Sequence, residues 1–399
     1  MGVEVRPLGV KCNIACQYCY QHPQRDVEDS TQKPYDIEKM KKAILQEGKD
    51  FTLFGGEALM VPIEDLEKLW AWGLQQFGQN SIQTNGSLIT QAHIALFKKY
   101  KVSVGVSIDG PKALNDVRWA GSLERTRKMT QQSEDAITKL CDEGLQPSII
   151  ITLHRGNVGT AEKRHQMGEW IKQLDRMGVR SARLHLMEVE SESIRAVYHL
   201  SEQQNIDTLL FFHQLEDELH QLKFDIFREI RNLMSADDHG VSCVWTGCDP
   251  YTTSAVRGVE GNGQRSNCGR TNKEGIDFVK SGLPTYARYL ALYNTPQENG
   301  GCKGCRFFAM CKGHCPGTSL VGDWRNRTEH CKVWKSLFQI TEDQMVAEGK
   351  TPLSTHPIRS FIEAKLVEGW SNGINPSIKM LLTKVALQQK QQSHATASV

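Results

Sequence analysis

Three cysteines near the amino terminus constrain this chain more than any other feature: Cys12, Cys16 and Cys19 stand in the string K-C-N-I-A-C-Q-Y-C-Y, directly after a short apolar run. Gaps of three and two residues bring three thiolates onto one tight loop. Such a loop suits three irons of a cubane cluster and leaves the fourth iron without a protein ligand. A cluster held by four cysteines mainly carries electrons, whereas an iron with an open position can chelate a small molecule and pass an electron into it. Zinc is the competing reading of three cysteines, but zinc sites normally show paired C-x2-C units and a fourth ligand close by. His22 is the only near candidate for that fourth ligand.

The rest of the composition narrows the context of this loop. A chain of 399 residues has room for more than one domain. Its 39% apolar and 24% charged content is ordinary for a globular protein, and a formal net charge of +2 gives no sign of a nucleic-acid or membrane partner. No window approaches the roughly 20 apolar residues of a membrane span, and the first residues lack the basic and apolar regions of a secretion signal. Twelve cysteines without such a signal point to metal rather than disulfides, and the cytoplasm is the expected location.

Short β-rich runs alternate with stretches of helical period up to about residue 190. The strand expectations are 3–8, 51–54, 81–84, 102–108, 148–153 and 182–187, and the helix expectations between them are 37–45, 63–77, 91–100, 123–141 and 161–177. Parallel strands need crossovers of this kind, so an α/β fold with a parallel sheet is the economical answer, whether open or curled into a partial barrel. The cysteine loop follows the first strand, which puts it at the C-terminal edge where α/β sheets place their ligands. Residues 202–234 read as one long helix or two. From Cys243 to Cys331 the chain is rich in glycine, cysteine and turn residues with little regular period, as expected of a small domain held by metal. Helical signals return around 358–370 and 378–388, before a polar tail.

With Tyr18 just before its last cysteine, the amino-terminal loop resembles the C-x3-C-x-aromatic-C signature of the radical SAM superfamily. The resemblance implies a partial (β/α)6 barrel over residues 1–235, followed by a cysteine-rich SPASM domain over 236–335 and C-terminal helices and a polar tail over 336–399. Cys302, Cys305, Cys311 and Cys315 give C-x2-C-x5-C-x3-C, and Cys331 follows in R-T-E-H-C, which resembles the SPASM extension with its two auxiliary iron-sulfur clusters. Carried over, the first auxiliary cluster takes Cys243, Cys248, Cys268 and Cys315, and the second takes Cys302, Cys305, Cys311 and Cys331. With the first trio this makes three [4Fe-4S] clusters and leaves Cys141 alone on an expected helix, as a small buried hydrophobe.

The family also implies S-adenosyl-L-methionine as cosubstrate. Gly55, Gly56 and Glu57 resemble the G-G-E string that accepts from its ammonium, and glycine there lets backbone approach ligand. Tyr18 of the cysteine loop, Asn85 in Q-T-N-G, and Ser107 and Asp109 in V-S-I-D-G-P look like family loop and strand-end contacts. Arg118 lies where relatives place an arginine on the methionine carboxylate, and Thr152, Asn157 and Leu186 are candidates for adenine and ribose.

Members with this tail mostly modify peptides or proteins by reductive cleavage to a 5′-deoxyadenosyl radical, an oxidoreductase chemistry that belongs to the cofactor. The string G-V-E-G-N-G-Q-R-S-N-C-G-R-T looks more like maturases of ribosomally made peptides than like sulfatase-activating enzymes, in which an aspartate after the matching cysteine serves as base. Gly269 stands at that position. Asp249, Tyr251, His185 and Glu190 are the other polar candidates for a base. The implied partners are a precursor peptide and an electron donor such as flavodoxin or ferredoxin. Because the chain begins directly at its first strand, with no winged-helix module to grip a leader, a separate small leader-recognition protein is also expected. The expected outcome is a crosslink (cyclophane or thioether) or tyramine-excising splicing. The alternatives are sulfatase-type or quinone-cofactor-type oxidation, and a zinc-binding module without catalysis.

Overall fold

Among the described residues nine strands form one sheet: β1 (Val3–Arg6), β2 (Phe51–Leu53), β3 (Asn80–Thr84), β4 (Val102–Ser107), β5 (Ser148–Leu153), β6 (Ser181–Leu186), β7 (Lys223–Phe224), β8 (Arg257–Glu260) and β9 (Arg265–Ser266). The computed structural model describes residues 2–21, 34–189, 191–249, 252, 256–271, 285–385 and 387. Two compact units divide the chain, Met1–Ile226 with Val256–Lys280, and Phe227–Ala255 with Ser281–Val399.

In the first unit the strand order is β7-β6-β5-β4-β3-β2-β1-β8-β9, parallel throughout except for the hairpin pair β8 and β9. The ends do not meet, so strands β1 to β6 make an open, partial (β/α)6 barrel. Each strand from β1 to β6 adds on the same side of its predecessor, and right-handed crossovers then put the connecting helices on one face of the sheet. Alternation follows from that placement. Val3, Val5, Leu53, Ile82, Val104, Ile151 and Leu184 are buried, while Glu4, Thr52, Gln83, Ser107, Thr152 and His185 between them are partly exposed on the other face.

The crossover helices are Ile37–Glu47, Ile63–Phe77, Gln91–Lys99, Leu123–Asp142 and Ala161–Met177, close to the expected spans. Their ends are written in the sequence. Asp36, Thr90, Ser122 and Thr160 accept from main-chain N–H groups of their first turns, and Gly48 and Gly178 close two helices in the left-handed conformation. The 202–234 stretch is two helices, Glu202–Glu216 and Asp225–Met234, separated by the short edge strand β7.

The second unit is built on aromatic contacts rather than on a sheet. Trp245 meets Phe338 and Trp334 at ring separations of 5.6 and 5.7 Å, and its indole N–H donates to Glu229 at 2.8 Å. Tyr289 of the helix Ala287–Asn294 meets Trp370 of the helix Arg359–Ser371 at 5.3 Å. Asp238 accepts from Ser377 and Ile378 and so starts the helical residues 378–385. None of the described helices is long and apolar enough to cross a membrane.

Candidate metal centres and cosubstrate site

The loop after β1 is held open by its own backbone neighbours. Ala15 N donates to Trp119 O at 2.7 Å and Gln17 N to Val117 O at 2.9 Å, which pins the loop against residues 115–120. Cys16 is buried with Ile14 and Ala120, and Cys12, Tyr18, Cys19 and Met129 pack around that nucleus. Burial, with Cys19 and Cys12 adding to it against the pull of Arg118, pushes the Cys16 thiol up to about 12. Thiols so placed cannot ionise together without a cation between them, and a ligated metal cluster supplies one.

Glycine in the G-G-E string serves a neighbour different from the one the sequence suggests. A Cβ on Gly56 would stand 2.0 Å from Lys11 O, and one on Gly55 2.6 Å from Gly9 O. The close approach is therefore to the cysteine loop itself, which Gly56 N and Glu57 N grip through Gly9 O at 3.0 Å and Lys11 O at 2.9 Å. Glu57 is fully committed to its surroundings, accepting from Leu59 N at 2.9 Å, Thr84 Oγ1 at 2.7 Å and Asn85 N at 2.8 Å. Burial raises its pKa above the ordinary glutamate value despite those donors. Asn85 donates in turn to Asn13 Oδ1 at 2.8 Å, tying the end of β3 to the cysteine loop.

Asp109, just beyond β4, is the hub of the remaining candidates. Its carboxylate accepts from Tyr18 Oη at 2.5 Å and from Thr152 N at 3.0 Å, its carbonyl accepts from Asn157 Nδ2 at 2.8 Å, and Arg118 lies 3.8 Å away. Arg118 also donates to Tyr18 Oη at 3.0 Å. Burial works against the charge, but Arg118 and the His154 and Tyr18 hydrogen bonds hold Asp109 below the usual carboxylate range. Ser107 accepts from Gln83 Nε2 at 2.8 Å, and Leu186 is buried on the covered face with Ala182 and Leu184. Asn13, Gln83, Asn115 and His154 join this network without having been named from the sequence. Asn115 accepts from Asp109 N at 2.8 Å, and the His154 ring stands 3.5 Å from the Asp109 carboxylate. Only their place four to nine residues from V-S-I-D-G-P or next to Thr152 could have signalled two of them.

Of the base candidates, Tyr251 and Glu190 lie outside the described residues, as does His22. Asp249 is buried in the second unit. His185 faces Arg270, whose Nη2 meets His185 Nδ1 at 2.7 Å while its Nε meets Glu188 at 2.8 Å. A guanidinium only donates, so Nδ1 is the acceptor and the imidazole proton sits on Nε2. At Gly269 an added Cβ would stand 3.1 Å from Arg6 Nη1 and 3.2 Å from the Tyr20 hydroxyl.

In the second unit Cys302, Cys305, Cys311 and Cys331 line one pocket with Phe307, Phe308 and Phe338. Burial and the neighbouring thiols push Cys302 up to about 12 and Cys311 well above the usual thiol value. Among the described residues no three of the thiols come within 4.8 Å of one another, whereas sulfurs around one tetrahedral zinc stand about 3.8 Å apart. Wider spacing of four thiols around one pocket fits a cluster of several irons. Cys243, Cys248 and Cys315 belong to the second unit and Cys268 to the first. Cys141 lies half-buried on the helix Leu123–Asp142.

A family model of the radical SAM superfamily matches residues 7–184. The chain carries a radical SAM domain. Curated relatives of that domain include a serine-type anaerobic sulfatase-maturating enzyme of Bacteroides thetaiotaomicron, 34% identical over 29% of this chain and 30% of the relative. A cysteine-type anaerobic sulfatase-maturating enzyme of Clostridium perfringens is 32% identical over 29% of this chain and 35% of its own. The matched stretch thus spans about a third of the length of these relatives. Beyond the radical SAM domain the likeness is one of fold: the solved structure of anSMEcpe with bound AdoMet and the Cp18Cys peptide covers 87% of this chain and 98% of its own, with 19% identity and a TM-score of 0.64.

Proposed function

We propose that this protein is a radical SAM maturase that takes a hydrogen atom from a ribosomally made precursor peptide and ends in a crosslink or a tyramine-excising splice. The carrying observation is the coupling of the three-thiol loop to Asp109 through Tyr18 at 2.5 Å. When bound, the reduced cluster at Cys12, Cys16 and Cys19 and S-adenosyl-L-methionine supply a 5′-deoxyadenosyl radical able to attack an unactivated C–H bond. The chain's own residues hold that chemistry in place. Gly56 and Glu57 fix the cysteine loop, Asn85 locks its far side, and Arg118 with Asp109 offers paired charges to the zwitterionic end of the cosubstrate. Thr152 and Asn157 orient Asp109, and the polar face of the sheet, with Gln83, Ser107 and His185, is left for nucleoside and substrate. The remaining eight cysteines of the set would hold two auxiliary clusters, which when bound would accept electrons released by the substrate, and the cytoplasm keeps those thiols reduced for ligation.

The choice of substrate rests on Gly269. Arg6 and Tyr20 stand close to the position where a sulfatase-type enzyme carries its aspartate base, so a side chain there needs these two to give by a few tenths of an ångström. Sulfatase-type oxidation is the second reading, favoured by the names of the curated relatives. Anaerobically reconstituted protein is incubated with dithionite, S-adenosyl-L-methionine and either a neighbouring-gene precursor or a sulfatase-motif peptide. Loss of two hydrogens or of a larger fragment from the precursor alone supports the proposal, and conversion of the sulfatase-motif peptide alone replaces it with the second reading. Protein that fails to release deoxyadenosine under any condition sinks both.

A further inference from the structure

The four-thiol pocket of the second unit is lined by cations that no carboxylate among the described residues answers. Arg327 and Lys335 line it, and among the described residues no Asp or Glu does. Arg327 gives its Nη1 to two carbonyls, Gly301 O at 2.8 Å and Gln297 O, and its Nε is buried with no acceptor. Lys335 donates to the Gln297 side-chain oxygen. Arg288, fully buried, meets the carbonyl of the pocket-lining Gly313 at 3.4 Å and donates to Trp324 O at 2.6 Å and Asn326 O at 3.0 Å. Neutral carbonyls satisfy hydrogen-bonding needs without cancelling charge, and a buried, uncompensated guanidinium is costly unless an anion joins it.

We propose that Arg288, Arg327 and Lys335 are the counter-charge of the iron-sulfur cluster at Cys302, Cys305, Cys311 and Cys331 and raise its reduction potential, making this pocket an electron acceptor. The proposal rests on the cluster reading given above. A four-thiolate cluster is an anion that gains one more negative charge on reduction, so nearby positive charge and donors to sulfur favour the reduced form. The aromatic wall of Phe307, Phe308 and Phe338 keeps water from screening the effect. The electron enters from oxidised substrate and leaves to an external acceptor protein, and no bond to the cluster is made or broken.

Redox titration of the anaerobically reconstituted full chain, followed by electron paramagnetic resonance, tests this directly. Lys335→Met removes one cation, Lys335→Gln removes it while keeping a side chain that reaches Gln297, and Lys335→Arg restores it. In the first two variants one signal falls in potential, so that its reduced-to-oxidised ratio at fixed potential drops about tenfold, which is about 59 mV for one electron. The other signals stay in place and the arginine variant returns to the starting potential. Full iron content with every potential unmoved in both charge-removing variants overturns the inference alone. Wild-type protein with roughly eight irons rather than twelve overturns the cluster reading beneath it.

Discussion

Asp109 is a carboxylate with no exposure to water whose ionised form is kept by Tyr18, Arg118, His154 and the Thr152 amide. Its folded pKa lies below the ordinary value of 3.8. The sign follows: its contribution to stability is complete above about pH 3.8, where the unfolded carboxyl is also ionised, and disappears as pH falls through the lower folded value. Asp109→Asn therefore flattens the acid limb of the stability curve and, by leaving Arg118 buried without its anion, costs about 3–5 kcal/mol at neutral pH. Urea unfolding monitored between pH 3 and pH 7 reads both effects. Gly56 makes the opposite kind of demand, one of space. Gly56→Ala drives a methyl into Lys11 O, shifts the cysteine loop and empties it, so reconstituted protein should hold about a third less iron and make no deoxyadenosine. Positions at strand ends made Tyr18, Glu57, Asp109 and Arg118 readable in the sequence. Asn13, Asn115 and His154 were not readable, because a partner across a loop leaves no local period.

At the level of elements, the six central strands and five crossover helices were legible because each is long enough to show its period and each helix carries a cap. The outer strands were not. β7 and β9 have two residues each, too few for any alternation, and β8 joins β1 across more than 250 positions of sequence. Beside the backbone pairing of β8 with β1, one buried side chain ties the hairpin to the sheet. Arg6 of β1 ion-pairs with Glu260 and donates to Ser266 Oγ at 2.7 Å and to Asn267 O at 2.9 Å. The Arg6 guanidinium, although burial works against it, is kept charged chiefly by Glu260. Arg6→Met keeps the volume and leaves Glu260 and Asn267 O without their donor, so the hairpin should detach before the rest of the sheet. Hydrogen exchange should show early opening of residues 257–266 with protection of β3 to β6 retained, and overall stability should drop by about 3 kcal/mol. Equal protection of the hairpin in wild type and variant would falsify this role for Arg6.

Over the whole molecule, twelve cysteines fall into three ligand sets and one remainder, and composition alone made that count legible. Which thiols share a pocket depends on the fold. Cys331 opens the helix Cys331–Ala347 and meets Cys302, Cys305 and Cys311 only because Arg327 and the turn at Gly301 bring the two stretches together. The return of residues 256–280 to the first unit was equally hidden, since it depends on pairing with β1 rather than on any change in texture. The ligand sets make different predictions for metal content. Anaerobically reconstituted wild type should carry about twelve irons and the Cys302→Ala, Cys305→Ala double variant about eight. That variant should still release deoxyadenosine, because the loop of Cys12, Cys16 and Cys19 draws on none of the second unit's thiols. Cys141→Ala should change neither number: it lies half-buried on the crossover helix Leu123–Asp142, outside the three ligand sets. Iron lost on replacing Cys141, or retained in full on replacing Cys302 and Cys305, would mean that the sets are drawn wrongly and that the pocket with its three cations serves something other than a cluster.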